Sequence, residues 1–216
     1  GAESSPLKID EPVVSGIAAS SLSNTSMAVS WITDIEAIDL SQTTNGIVRY
    51  DTGTLTTGSS TASENRTPGG DTHRVVLTGL TPGATYNYQV TSGATVSATG
   101  QFTVPLTVGT SYTLQGTVKS GSIGVANVIV YVTVTHGTDA TVSALSGSGG
   151  AWQVDIQSIA YETGDSVKIR ATMNSGGARI ENTTISGTSP QSVGDINLSA
   201  AGPAISNISA TLNPGA

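Results

Sequence analysis

Apolar residues recur at every second position in short bursts along the chain. Met27, Val29 and Trp31 sit at i, i+2 and i+4, which in a strand sets all three on one face and turns Ala28 and Ser30 the other way. Val48 with Tyr50, Val75 with Leu77, the trio Tyr86, Tyr88 and Val90, and Phe102 with Val104 repeat the pattern. Turn-rich stretches such as Thr67-Pro68-Gly69-Gly70-Asp71 separate them, so six or seven strands are predicted between Pro12 and Pro105. A second series follows the polar joint Val108-Gly109-Thr110-Ser111. It opens with Tyr112 to Val118 and continues through Val128 to Val134, Ala140 to Leu145, Ala151 to Ile156, Val167 to Met173, Arg179 to Ile185 and Asp195 to Leu198. No segment shows a helical period.

Composition supports the same class. Only 11% of the 216 residues are charged, and Thr and Ser together supply about 60 positions, a mixture that disfavours helices and suits short strands joined by turns. A net charge of -7 with eight Lys and Arg leaves little to neutralise a phosphate backbone, so nucleic acid is not an expected partner. No apolar run is long enough for a bilayer-spanning helix, and no membrane insertion is expected. The absence of cysteine excludes a thiol catalyst, a disulfide framework and a Cys-ligated zinc site. A start at Gly1 rather than Met reads as a processed or excised chain.

The segment Leu80-Thr81-Pro82-Gly83-Ala84-Thr85-Tyr86 places a Pro-Gly turn before a Tyr that opens a strand, the arrangement in which a phenol tucks back onto upstream backbone at a sandwich corner. With Trp31 and Val48-Arg49-Tyr50, residues 11–105 resemble a fibronectin type III domain. That resemblance implies a spacer or adhesive role without naming a ligand. The order Gly116-Thr117-Val118, Gly124-Val125-Ala126-Asn127-Val128-Ile129-Val130-Tyr131 and Gly149-Gly150-Ala151-Trp152 resembles the prealbumin-like modules of bacterial surface proteins, among them carboxypeptidase-regulatory-like and collagen-adhesin B-type repeats.

The expected class is therefore all-β: two tandem β-sandwich, immunoglobulin-like modules at 11–105 and 112–200, joined by 106–111. A ten-residue extension precedes them and an orphan C-terminal strand lies within 201–216. Pro203-Ala204-Ile205-Ser206-Asn207-Ile208-Ser209-Ala210 repeats the pattern of Pro12-Val13-Val14-Ser15-Gly16-Ile17-Ala18-Ala19. It reads as the first strand of a further repeat, or as a donor strand that adds to a neighbouring copy through Ile205, Ile208 and Leu212.

Candidate chemistry is sparse. Asp34, Glu36 and Asp39 in the loop from Thr33 to Asn45, with Asp51 beside them, could surround calcium, which takes six to eight oxygens; the competing reading is a solvated acidic rim. No other cofactor is expected. Asp71-Thr72-His73 has the form of a first metallophosphatase ligand block, but the only other histidine is His136, so His73 reads as an ordinary polar residue on an edge strand. The collagen-adhesin resemblance raises a Lys119 to Asn197 isopeptide bond, which alternation opposes because Lys119 points outward. Sequons at Asn24, Asn65 and Asn182 are possible glycosylation sites, with further ones at Asn197 and Asn207. Trp31 and Trp152 fall on inward positions and read as core.

The sequence thus points to a non-catalytic, secreted, cell-surface protein, stiff as a rod, that builds a filament, sheath or repetitive adhesin from copies of itself. Surface glycans are a possible further partner. The alternative is an accessory spacer or carbohydrate-binding module of a secreted polysaccharide-active enzyme.

Overall fold

The computed structural model describes residues 12–33, 46–64, 72–173 and 177–198. Among these the structure is all-β. The first sandwich is built from β1 (Val14–Ser23), β2 (Ser26–Thr33), β3 (Ile47–Asp51), β4 (Ser60–Ser63), β5 (Thr72–Leu77), β6 (Thr85–Ser92), β7 (Thr95–Val96) and β8 (Gly100–Thr103). One sheet has the order β1-β2-β5; the other runs β4-β3-β6, with β7 and β8 both pairing to β6. Met27, Val29, Trp31, Val48, Val75, Leu77, Tyr86, Tyr88, Val90, Phe102 and Val104 meet between the sheets, joined by Leu80, so each alternation burst delivers its apolar face to one core. The Tyr86 hydroxyl accepts the Thr81 backbone N–H at 3.1 Å, the corner the sequence called for. Tyr86→Phe leaves that N–H without its acceptor and is expected to cost about 1–2 kcal/mol, read as a lowered urea midpoint.

The second sandwich comprises β9 (Thr113–Ser120), β10 (Ile123–Gly124), β11 (Ile129–His136), β12 (Thr138–Leu145), β13 (Ala151–Asp155), β14 (Ser166–Met173), β15 (Gly177–Thr184) and β16 (Gln191–Asn197). β9 is central in one sheet, antiparallel to β10 and β13 and parallel to β16. The other sheet has the order β12-β11-β14-β15. Leu114, Val118, Val130, Val132, Trp152, Val154, Ile169 and Ile196 form its core. Trp31 and Trp152 are both buried, one in each sandwich.

The two sandwiches lie side by side rather than end to end, which corrects the rod expectation. Pro12, Thr33 and Thr72 mark the upper end of the first sandwich, and the chain leaves its lower end after Val104. The joint turns back there: Gly109 N–H donates to the Gln157 carbonyl at 2.7 Å, so the second sandwich is entered at the same level. Its strands then climb to the β9–β10 hairpin and the end of β16, where Leu198 N–H donates to the Lys119 carbonyl. Both ends of the described unit therefore emerge together at the top. A short joint fixes the distance between modules but not their direction, and surface complementarity decided the direction.

Candidate functional site

The outer face of β1-β2-β5 packs against the outer face of β12 and β11, and the seam between them is held by polar side chains. Alternation sends Val130, Val132 and Val134 into the second core, so Ile129 and Tyr131 face the opposite way. Both are nonetheless buried, as are Ala28 and Ser30 on the outward positions of β2. Small residues there let the two sheets approach closely. Ser30 and the Tyr131 hydroxyl hydrogen-bond at 2.8 Å, and Ser20 meets Ser143 at 2.6 Å. At the upper end Thr72 donates to the Asn127 carbonyl at 2.5 Å. At the lower end Ser21 donates to Ser158 at 3.0 Å, and Ser158 returns a bond to the Ser21 carbonyl.

Arg74 crosses the middle of the seam. Its guanidinium donates to the Ser143 carbonyl at 2.8 Å and to the Ser143 hydroxyl at 3.3 Å. Removal from water draws its pKa below the ordinary value. From the other side Arg170 lies 4.8 Å from the centre of the Tyr131 ring, a cation–π contact. The chemistry of this arrangement is cohesive. A nucleophilic serine needs a neighbouring base to accept its proton, and Ser143 is met instead by a guanidinium, which only donates.

Burial raises the Tyr131 pKa above its ordinary 10.0, with the Ser30 bond and the two arginines opposing. The neutral phenol is therefore favoured by folding. That contribution is fully present below the unfolded-state pKa of 10.0 and is lost as pH rises through the higher folded-state value. Thermal unfolding followed by calorimetry should show stability falling as pH rises past 10.0, and Tyr131→Phe should remove this part of the decline while costing about 1 kcal/mol at neutral pH.

A second polar cluster sits inside the upper end of the first sandwich. His73 stacks on Trp31, ring centres 5.1 Å apart at 17°. Its Nδ1 lies 3.0 Å from Glu64 Oε2 and its Nε2 3.2 Å from the Thr33 hydroxyl. Glu64, buried, also accepts the Gly46 and Arg74 backbone N–H groups. Trp31 Nε1 donates to Ser92 at 2.8 Å. His73 is thus a polar residue on edge strand β5, as its position suggested, but it is buried and doubly engaged. Both ring nitrogens already have partners, which does not fit a metal-ligand role. Asp71 lies outside the described residues.

Asp34, Glu36 and Asp39 likewise lie outside the described residues, as do Asn65, Ile205, Ile208 and Leu212. Asp51 closes β3 at the lower end of the first sandwich, where it accepts the Gly53 N–H at 3.0 Å. That bond first, then Ser59, holds its carboxyl below the usual pKa. Asn24, half-buried, occupies the β1–β2 turn and Asn182 is exposed on edge strand β15. Lys119 and Asn197 stand opposite each other in the parallel register of β9 and β16. Lys119 Nζ nevertheless donates to Asp195 at 2.6 Å, and Asn197 Oδ1 accepts the Gly121 N–H, so each is engaged elsewhere.

Residues 14–104 match the family model described as Purple acid Phosphatase, N-terminal domain. The match covers less than half of the chain. No curated protein matches the sequence. Among solved structures, the chicken CNTN1 FN1–FN3 domains are 14% identical, covering 84% of this chain and 67% of that one at a TM-score of 0.32. A two-domain fibronectin type III segment of chicken tenascin is 12% identical, covering 82% and 99%, at a TM-score of 0.28. The BSP domain of a biofilm associated protein is 15% identical over 80% of this chain but only 29% of that one, at 0.33. The sheet pairing and tyrosine corner described above themselves establish an immunoglobulin-like sandwich of fibronectin type III character in the first module.

Glu64 and the seam residues escaped the sequence reading. Glu64 stands nine positions from His73 in sequence with no motif linking them. Ser20, Ser30, Thr72, Arg74, Tyr131 and Ser143 occupy ordinary solvent-face positions of alternating strands.

Proposed function

We propose that the chain is a non-catalytic extracellular structural or adhesive unit, a building block of a cell-surface filament, sheath or repetitive adhesin. The observation that carries this reading is the seam. Its buried hydrogen bonds hold two sandwiches as one body, the property a load-bearing repeat needs and a pair of flexibly tethered binding modules does not. Repetition of the Pro12 to Ala19 pattern at Pro203 to Ala210 supports serial use of that body. The glycine pattern of the second sandwich supports its reading as a prealbumin-like module of prokaryotic surface proteins.

Electron microscopy of native material, with intact mass on the same sample, tests the proposal. Filaments of laterally repeated bodies support it. Isolated particles that bind no surface and never assemble would overturn it. Deleting residues 203–216 then separates the two roles of that segment: a donor strand is required for assembly, whereas the start of a further repeat is dispensable to a single unit.

The family match favours one second reading, because the matched model describes an N-terminal domain of an enzyme family. The chain would then be an accessory sandwich pair beside a catalytic domain. Retention of the isolated chain on insoluble cellulose or chitin would favour that role, and its absence would favour the structural one.

A further inference from the structure

Four of the exposed large apolar side chains lie at the upper end of the unit, where the chain enters and leaves it; others, such as Leu106 in the joint and Ile180 in β15, lie elsewhere. Ile123 is 72% exposed, Val13 59%, Val96 54% and Ile47 37%. Ile47 stands opposite Thr91 and Thr91 opposite Val96, so the three form one row across the outer face of β3, β6 and β7. The Thr95 hydroxyl, on the other face of β7 from Val96, donates to the Pro12 carbonyl at 2.7 Å, which ties the start of the first strand, with the exposed Val13, to the edge of the sheet that carries the row. Ile123 projects from the β9–β10 hairpin, whose Gly121 N–H is bound by Asn197 Oδ1 at 3.2 Å. One apolar patch thus marks where the chain begins its first strand, and a separate apolar residue marks where β16 ends.

On the repeat reading, the connection between units is short. From Leu198 to Pro203, where the strand pattern starts again, five residue steps reach at most about 17 Å. A further sandwich opening at Pro203, as this one opens at Pro12, has to place its own upper end within that distance of the Ile123 hairpin. Because the chain reverses within each unit, the third copy would start from the same level as the second.

We propose that the Ile123 hairpin of one unit docks on the Val13 and Ile47–Thr91–Val96 patch of a second copy of this unit, so that copies hang side by side from a line of short connections. This rests on the structural-repeat reading above. The two patches differ, so the contact is heterologous, the kind that can be repeated from copy to copy.

Cross-linking tests it on the full chain, which contains no native cysteine to interfere. Chains carrying Ile123→Cys are mixed with chains carrying Val96→Cys and treated with a short bis-maleimide; Ile180→Cys, exposed in the middle of β15, replaces Val96→Cys in the control. The mixed pair is expected to cross-link several-fold faster than the control pair. Equal rates overturn the docking, and so does an Ile123→Cys homodimer that forms faster than the mixed product. Filaments that form equally well from an Ile123→Asp chain overturn the docking while leaving the structural reading intact. Faster mixed cross-linking together with loss of filaments from the Ile123→Asp chain supports the docking.

Discussion

Replacing Gly150 by alanine is expected to destabilise the second sandwich by about 2–5 kcal/mol, the sum of left-handed backbone strain and overpacking. Gly150 has φ +79°, a conformation that a Cβ disfavours. Its Cα is pressed against the strand connection it supports. A Cβ there would overlap the Val118 carbonyl oxygen and come within 2.9 Å of the Val125 nitrogen, the two atoms that hydrogen-bond to each other across the β9–β10 turn. Backbone atoms on both sides cannot rotate aside as a side chain would. Gly149 supplies the control: its φ is +81°, but nothing lies within 4 Å of its Cβ position. Gly149→Ala should cost only the backbone strain, about 1–2 kcal/mol. Urea unfolding monitored at the Trp152 fluorescence would separate the variants, and equal midpoints would show that the close approach contributes nothing.

That contrast shows how much was readable without coordinates. The Gly149-Gly150-Ala151-Trp152 run was legible as a turn leading into a strand, since glycine and a buried aromatic have local meanings. Strand positions in both modules were legible for the same reason: alternation is a property of neighbours in sequence, and Met27, Val29 and Trp31 declare their shared face within five residues. The tyrosine corner was legible because Thr81 and Tyr86 are close in sequence. Contact between Gly150 and Val118 was not, because nothing near either residue specifies the other.

The seam belongs to the same illegible class and matters more. Ala28 and Ser30 satisfy what a solvent-facing strand position asks for, small and polar, and the same two properties suit a tight hydrogen-bonded interface between sheets. Alternation distinguishes two faces of a strand; it does not say whether the second face meets water or another sheet. Tyr131 sits outward between Val130 and Val132, and its partner Ser30 lies in the other module. The expectation of a rod failed at this point, since a joint of 106–111 permits either a straight or a reversed path. Buried hydroxyls that each find a partner across the seam hold the reversed path in place.

Glu64→Ala is expected to cost about 3–5 kcal/mol, the range for breaking a buried charged hydrogen-bonding centre by removing one partner. Glu64 Oε1 accepts the Arg74 N–H at 2.8 Å, while Oε2 accepts the Gly46 N–H at 3.1 Å and lies 3.0 Å from His73 Nδ1. Alanine would leave two backbone donors and an imidazole nitrogen without that partner in a site with little access to water. Water entering the vacated space would restore only part of this. Glu64→Gln retains one oxygen acceptor but turns an amide toward a donor, so an intermediate loss of about 1–3 kcal/mol is expected. The consequence reaches past the first sandwich. Glu64 fixes the backbone of Arg74, and the Arg74 side chain is the one that crosses the seam to Ser143. Loosening β5 at that residue should therefore weaken attachment of the second sandwich as well as its own module. With one tryptophan in each core, the wild-type chain should unfold in a single transition at both emission signals. In Glu64→Ala the Trp31 signal should change first, leaving Trp152 to follow at higher denaturant. Coincident transitions in the variant, at a midpoint close to wild type, would show that the carboxylate holds neither the upper end of the sandwich nor the seam.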